Sequence, residues 1–188
     1  MLNLVFGVTV FAISTVLVSF MLGLAFGGIL FGRIAEKAKS IVGLFAFVHW
    51  GIFLSTIILF FAFPGFQELY CAINKSFNPD FVTFRIILFF LSLLLLVIPT
   101  TLMGATFPVA AKIIVDKNKT IGKDVGVLYS VNTLGSVVGC IATIFFLLGF
   151  AGMKGTVVFA AFFDLVIGVT AMLMSKTSKS IAPTNDSI

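Results

Sequence analysis

Between Arg85 and Lys112 the chain runs for 26 residues, 86 to 111, without a charged side chain. A helix needs about 20 predominantly apolar residues to cross the ~30 Å hydrocarbon core of a bilayer, so this run is long enough to do so. It also contains Pro99 and Pro108 and closes on "LMGATFPVAA" (102–111). In water a helix would stop or kink there. In an apolar solvent the same segment stays helical if the carbonyls freed by proline find other donors. Thr100, Thr101 and Thr106 are nearby hydroxyls, and Gly104, Ala105, Ala110 and Ala111 let a second helix approach closely. Two readings stay open for Pro99, Gly104 and Pro108: a kinked but inert packing helix, or a gate.

The rest of the chain has the same character. It is 60% hydrophobic and 10% charged, with a mean hydropathy of +1.23, where a soluble domain carries roughly 25% charged residues. Gaps between charges predict five spans, over about 4–31, 41–63, 86–111, 125–150 and 155–174. Residues 1–174 thus read as one all-α membrane domain, a polytopic bundle of about five transmembrane helices. Helices are the expected form because backbone groups in lipid must be satisfied within each segment. The short alternating segments of a β-barrel do not occur in the sequence.

The basic residues set the orientation. Arg33, Lys37 and Lys39 follow the first run; Lys112, Lys117, Lys119 and Lys123 follow the third; Lys176 and Lys179 follow the fifth. The intervening loops are nearly free of them. By the positive-inside rule the first and third loops and the C-terminus are cytoplasmic and the N-terminus is outside. The net charge of +5 is then a topology signal, and nucleic acid is excluded as a partner because no soluble basic face exists. An outside N-terminus must be translocated, yet "MLNLVFG" has no signal-peptide pattern. One further helix ahead of it is the expectation.

Outside the spans there is little material. Phe66, Leu69, Tyr70 and Ile73 fall at helical spacing, which predicts an interfacial helix over 66–75 beyond a Pro64-Gly65 break. Asn78-Pro79-Asp80 reads as a turn, and residues 175–188 as a disordered cytoplasmic tail. Cys71 and Cys140 are placed too far apart to pair. One His and no CxxC leave no metal centre, and no GxGxxG, P-loop or Ser-His-Asp set occurs. No cofactor and no enzymatic activity are assigned to this chain.

Chemistry is therefore sought inside the spans. Close helix contact in lipid depends on small residues. Gly23 and Gly27, then Gly28 and Gly32, form two GxxxG frames in the first span, and Gly135 and Gly139 a third in the fourth. Asn132, Ser136, Gly139 and Thr143 make a small, polar stripe, as do Ala160, Ala161, Asp164, Gly168 and Ala171. Such stripes are read either as packing seams or as walls of a polar path. Asp164 lies midway along its span, where a charge costs from ~3 kcal/mol upward. It is either a structural hydrogen-bond partner to Ser, Thr or Asn on a neighbour, or a proton or cation site. His49, beside Trp50, is either a satisfied buried imidazole or a proton-sensitive partner. With Asn132, Tyr129 and Thr106, these two are the candidate lining of a polar path.

The segments "FMLGLAFGGILFGRIAEK", "IPTTLMGATFPVAAK" and "GVLYSVNTLGSVVGCIATIFFLLGFAGMKGT" resemble the membrane domain of the fused major-facilitator/spermidine-synthase-like bacterial proteins, over Phe6 to about Leu173. Gly32, Arg33, Glu36 and Lys37 resemble the short basic loop after the second helix of major-facilitator transporters. The resemblance implies a bundle similar to part of one major-facilitator half, a location in the bacterial inner membrane, and one more helix before Phe6. It also implies a soluble aminopropyltransferase-like domain. No such domain lies within these 188 residues, so polyamine synthesis is not assigned here. The expected function is a transporter-like membrane module moving a small polar or cationic metabolite. The alternative is a membrane anchor for a synthase-like domain or subunit. Five spans are few for alternating access, which commonly needs two repeats. The expected partners are thus the bilayer, further helices or a second copy, and a synthase-like domain or subunit.

Overall fold

A computed structural model describes residues 2–77, 81–115 and 121–180. Every described element is helical: α1 (Leu2–Lys37), α2 (Ile41–Phe77), α3 (Phe81–Val115), α4 (Ile121–Ala142) and α5 (Leu148–Ser180). A π-helical turn, Thr143–Leu147, lies between α4 and α5. The expected Asn78-Pro79-Asp80 turn and the tail beyond Ser180 lie outside the described residues.

Four stretches are long and apolar enough to cross a membrane: Ile13–Lys37, Ile41–Ala62, Phe89–Val115 and Gly122–Ser175. The count is four where five spans are expected. The expected fourth and fifth spans merge into one stretch of 54 residues, because only Lys154 stands between the two apolar runs and no loop separates them. The chain breaks there at one residue, Gly152, with φ 63° and ψ −178°. A side chain is strongly disfavoured in that region of φ/ψ space. Just ahead of it Leu148 N–H donates to the Thr143 carbonyl, five residues back, the bond that defines the π turn.

Two further expectations change. The helical backbone of α2 continues through Pro64-Gly65 to Phe77, so residues 66–75 belong to α2 rather than to a separate interfacial helix. One proline removes one ladder bond, and the bonds on either side carry the helix on. The Gly32-Arg33-Glu36-Lys37 motif is also helical, forming the last turn of α1. The connection to α2 is only Ala38–Ser40.

The helices pack as α1 on α3, α3 on α2, and α2 on α5, while α4 rests lightly on α3. Small residues set the α1–α3 approach. A Cβ placed on Gly23 would collide with the Thr100 side chain, one on Gly27 with the Thr101 carbonyl, and one on Gly104 with the Leu24 backbone. Such contact of backbones is how helices associate where water supplies no driving force. The core between α2 and α3 is Val48, Ile52 and Ala105, with Phe31 and Leu102 packed against it. Around this thin core stands a surface of large apolar side chains, Phe26, Phe61, Phe90, Phe145 and Phe150 among them. A soluble protein rarely exposes contiguous apolar area beyond a few hundred Å².

Candidate functional site: a histidine–aspartate pair between α2 and α5

The α2–α5 interface is built by spacing. Ala161, Asp164, Gly168 and Ala171 recur at steps of three and four residues and so share one face of α5. Ala161 and Ala171 are buried there. On α2, Ala46, Val48, His49, Ile52 and Ser55 are buried. Gly168 lets the two helices close: a Cβ at that position would lie 2.8 Å from Trp50 Cδ1 and 3.5 Å from the His49 Cβ. At one end of the interface the Ser40 and Ser175 hydroxyls hydrogen-bond at 3.1 Å. That contact fixes an antiparallel register.

In this register His49 Nδ1 and Asp164 Oδ1 stand 2.9 Å apart, with side chains 10% and 25% exposed. Sequence reading singled out each residue separately. The structure makes them partners, in place of the Ser, Thr or Asn expected as a structural partner for Asp164. The Phe45 ring, one turn before His49, meets the imidazole edge-on at 4.6 Å between centroids and restricts its rotation. Phe45 was detectable in the sequence only as the i−4 neighbour of a His. The Ser40–Ser175 tie, 135 positions apart, left no signal in the sequence.

The pair can hold or pass a proton, and it can hold a cation. Asp164 Oδ1 and His49 Nδ1 engage each other. Every buried side-chain nitrogen or oxygen among the described residues has a hydrogen-bond partner. Oδ2 and Nε2, which bond to no described residue, therefore reach the surface of the site. Among the described residues no group of three His, Cys, Asp or Glu comes together.

The other candidate residues lie elsewhere. Thr106 Oγ1 donates to the Met103 carbonyl at 2.7 Å. Thr100, which is buried, donates to the Leu96 carbonyl at 2.6 Å. Pro99 and Pro108 free the carbonyls of Leu95 and Gly104, so each hydroxyl binds the carbonyl one residue away from the freed one. α3 nonetheless stays a single helix through both prolines. Tyr129 and Asn132 are exposed on α4. Tyr129 meets Phe107 of α3 edge-on at 6.2 Å, and the Asn132 carbonyl accepts from Ser136 Oγ at 2.9 Å. Among the described residues no hydrogen bond joins Thr106, Tyr129 or Asn132 to the pair. A Cβ on Gly28 would lie 3.9 Å from the Gly104 carbonyl oxygen, an ordinary contact, while one on Gly32, Gly135 or Gly139 would meet nothing within 4 Å.

No family model, curated protein or solved structure matches this chain.

Proposed function

We propose that the chain is a multi-pass inner-membrane protein and a transporter-like module, with the His49–Asp164 pair as its polar site. The observation that carries this reading is the pair itself. An ionisable couple inside apolar helices is expensive and marks ion or substrate paths. Its depth supports the reading. His49 is 9 positions from Ser40, and Asp164 is 11 positions from Ser175. At 1.5 Å per residue both lie about 14–17 Å from that end, near the middle of a ~30 Å core.

The stretch Gly122–Ser175 would be about 80 Å long if straight, far more than a bilayer. A division at Gly152 restores five spans. The positive-inside pattern then puts Ser40 and Ser175 on the cytoplasmic side, in agreement with their contact. The moved species on this reading is a small polar or cationic metabolite. The membrane domain is that of a spermidine-synthase-like protein, as the motifs quoted above imply.

A second reading, an anchor that docks a synthase-like domain and moves nothing, is favoured by α4. That helix is exposed on nearly every residue from Gly126 to Ile141 and offers a large free surface. Reconstitution separates the two. The full chain in liposomes is assayed for uptake of labelled small amines and polar metabolites. Transport predicts flux that falls at least tenfold in Asp164→Asn, with Asn132→Ala as a second variant on the candidate path. Flux unchanged by both substitutions overturns the site assignment, and a wild type that moves nothing supports the anchor.

A further inference from the structure

We infer that the His49–Asp164 pair exchanges one proton for one monovalent cation. This deepens the transport reading and rests on the chain lying in a membrane. The argument is charge balance.

Within the apolar stretches of the packed helices the sequence places no other charged residue. Residues 41–62 of α2 carry only His49, residues 155–174 of α5 only Asp164, and residues 13–32 of α1 and 89–111 of α3 carry none. The next charged groups along the two helices are Lys39 and Lys154, each 10 positions away, or about 15 Å. The remaining charged positions of the described helices fall outside these stretches: Arg33, Glu36 and Lys37 in the last turns of α1, Glu68 and Lys75 on α2 beyond residue 62, Arg85 on α3 ahead of residue 89, Lys112, Lys123 and Asp124 at helix ends near the loop between α3 and α4, and Lys176 and Lys179 on α5 beyond residue 174.

A carboxylate hydrogen-bonded to an imidazolium is neutral as a unit. Loss of the proton from Nε2 leaves neutral imidazole, still donating from Nδ1 to Oδ1, and a net charge of −1. In a medium of low dielectric an uncompensated charge is strongly disfavoured. A monovalent cation on Oδ2 restores neutrality. The exchange is written HisH⁺·Asp⁻ + M⁺ → His·Asp⁻·M⁺ + H⁺, with equal charge on both sides and no bond broken but N–H. Imidazole is the side chain that ordinarily exchanges a proton near neutral pH, and Oδ2 and Nε2 are the two atoms of the pair that no described residue bonds.

Trp50 is the only tryptophan and packs on Gly168, one turn from Asp164, so its fluorescence reports on the site. The full-length chain in detergent micelles is titrated with NaCl, KCl and methylammonium chloride at constant ionic strength, from pH 5.5 to 8.5. The expected result is a saturable change in Trp50 emission whose apparent affinity tightens about tenfold per pH unit on the acid side. Asp164→Asn abolishes the change. His49→Gln keeps it and loses its pH dependence. A weakly buffered wild-type sample with a pH dye gives a second measurement that needs no variant: one proton released per cation bound. No emission change with any of the three cations, a pH slope that survives in His49→Gln, or no proton release overturns the inference. Cation binding with proton release but no vesicle flux upholds the exchange and removes the transport reading. Metabolite flux without a cation response does the reverse.

Discussion

His49 Nδ1 lies 2.9 Å from Asp164 Oδ1, although the two residues are 115 positions apart. They meet because α2 and α5 run antiparallel from the Ser40–Ser175 contact and because Gly168 leaves room for Trp50. Each of these features makes a prediction of its own.

The Ser40–Ser175 contact fixes the register. With hydroxyl oxygens 3.1 Å apart, the double substitution Ser40→Cys/Ser175→Cys is expected to form a disulfide under mild oxidation in membranes. Moving one partner by two residues, to Ser40→Cys/Leu173→Cys, should abolish it. Mobility on a non-reducing gel after cleavage between α2 and α5 reads the result.

Gly27 meets the Thr101 carbonyl across the α1–α3 seam. Gly27→Ala is therefore expected to push the helices apart at a cost of about 1–3 kcal/mol, the usual range for overpacking. Gly135→Ala and Gly139→Ala, where a Cβ meets nothing within 4 Å, are expected to change stability by less than about 0.5 kcal/mol. Thermal unfolding in detergent, compared across the three variants, measures the contrast. Equal losses at all three positions would contradict the packing described.

Gly152 has φ 63°. A side chain there is strained whatever space surrounds it, at roughly 1–3 kcal/mol. Gly152→Ala is expected to lower the unfolding midpoint by several degrees. Gly149→Ala, three residues earlier and with open space around it, is the control and should not.

Much of this arrangement is legible in the sequence, for a physical reason. Charge-free runs report how much of a helix avoids water, and the runs 41–63 and 86–111 lie within four residues of the apolar stretches Ile41–Ala62 and Phe89–Val115. They cannot report a break made by backbone conformation alone. The junction at Gly152 depends on one φ angle, so a single Lys154 suggests a loop where the apolar stretch in fact continues. Pro64-Gly65 errs in the other direction: the residues read as punctuation, yet neighbouring ladder bonds keep α2 helical. Glycine frames show the same limit. Gly23-Gly27 and Gly28-Gly32 are equivalent as patterns, but only the first pair faces α3 at close range, because the frame in use depends on the rotation of α1. Asp164 and His49 each stand out as costly residues in apolar runs. Their pairing requires the α2–α5 register, which is set by contacts that no local pattern encodes.

The central claim is that His49 and Asp164 act as a coupled pair, and a double-mutant cycle on the full chain tests it most directly. Unfolding free energies are measured in a fixed detergent for the wild type, His49→Gln, Asp164→Asn and the double variant. Interhelical hydrogen bonds within membranes average about 0.6 kcal/mol and reach about 1.7, and partners in contact couple by about 0.5–3 kcal/mol. The pair is expected to show a coupling of about 1 kcal/mol or more, with the double variant more stable than the sum of the single losses implies. Losses that add to within about 0.3 kcal/mol would mean that the two side chains do not interact, and would contradict the account.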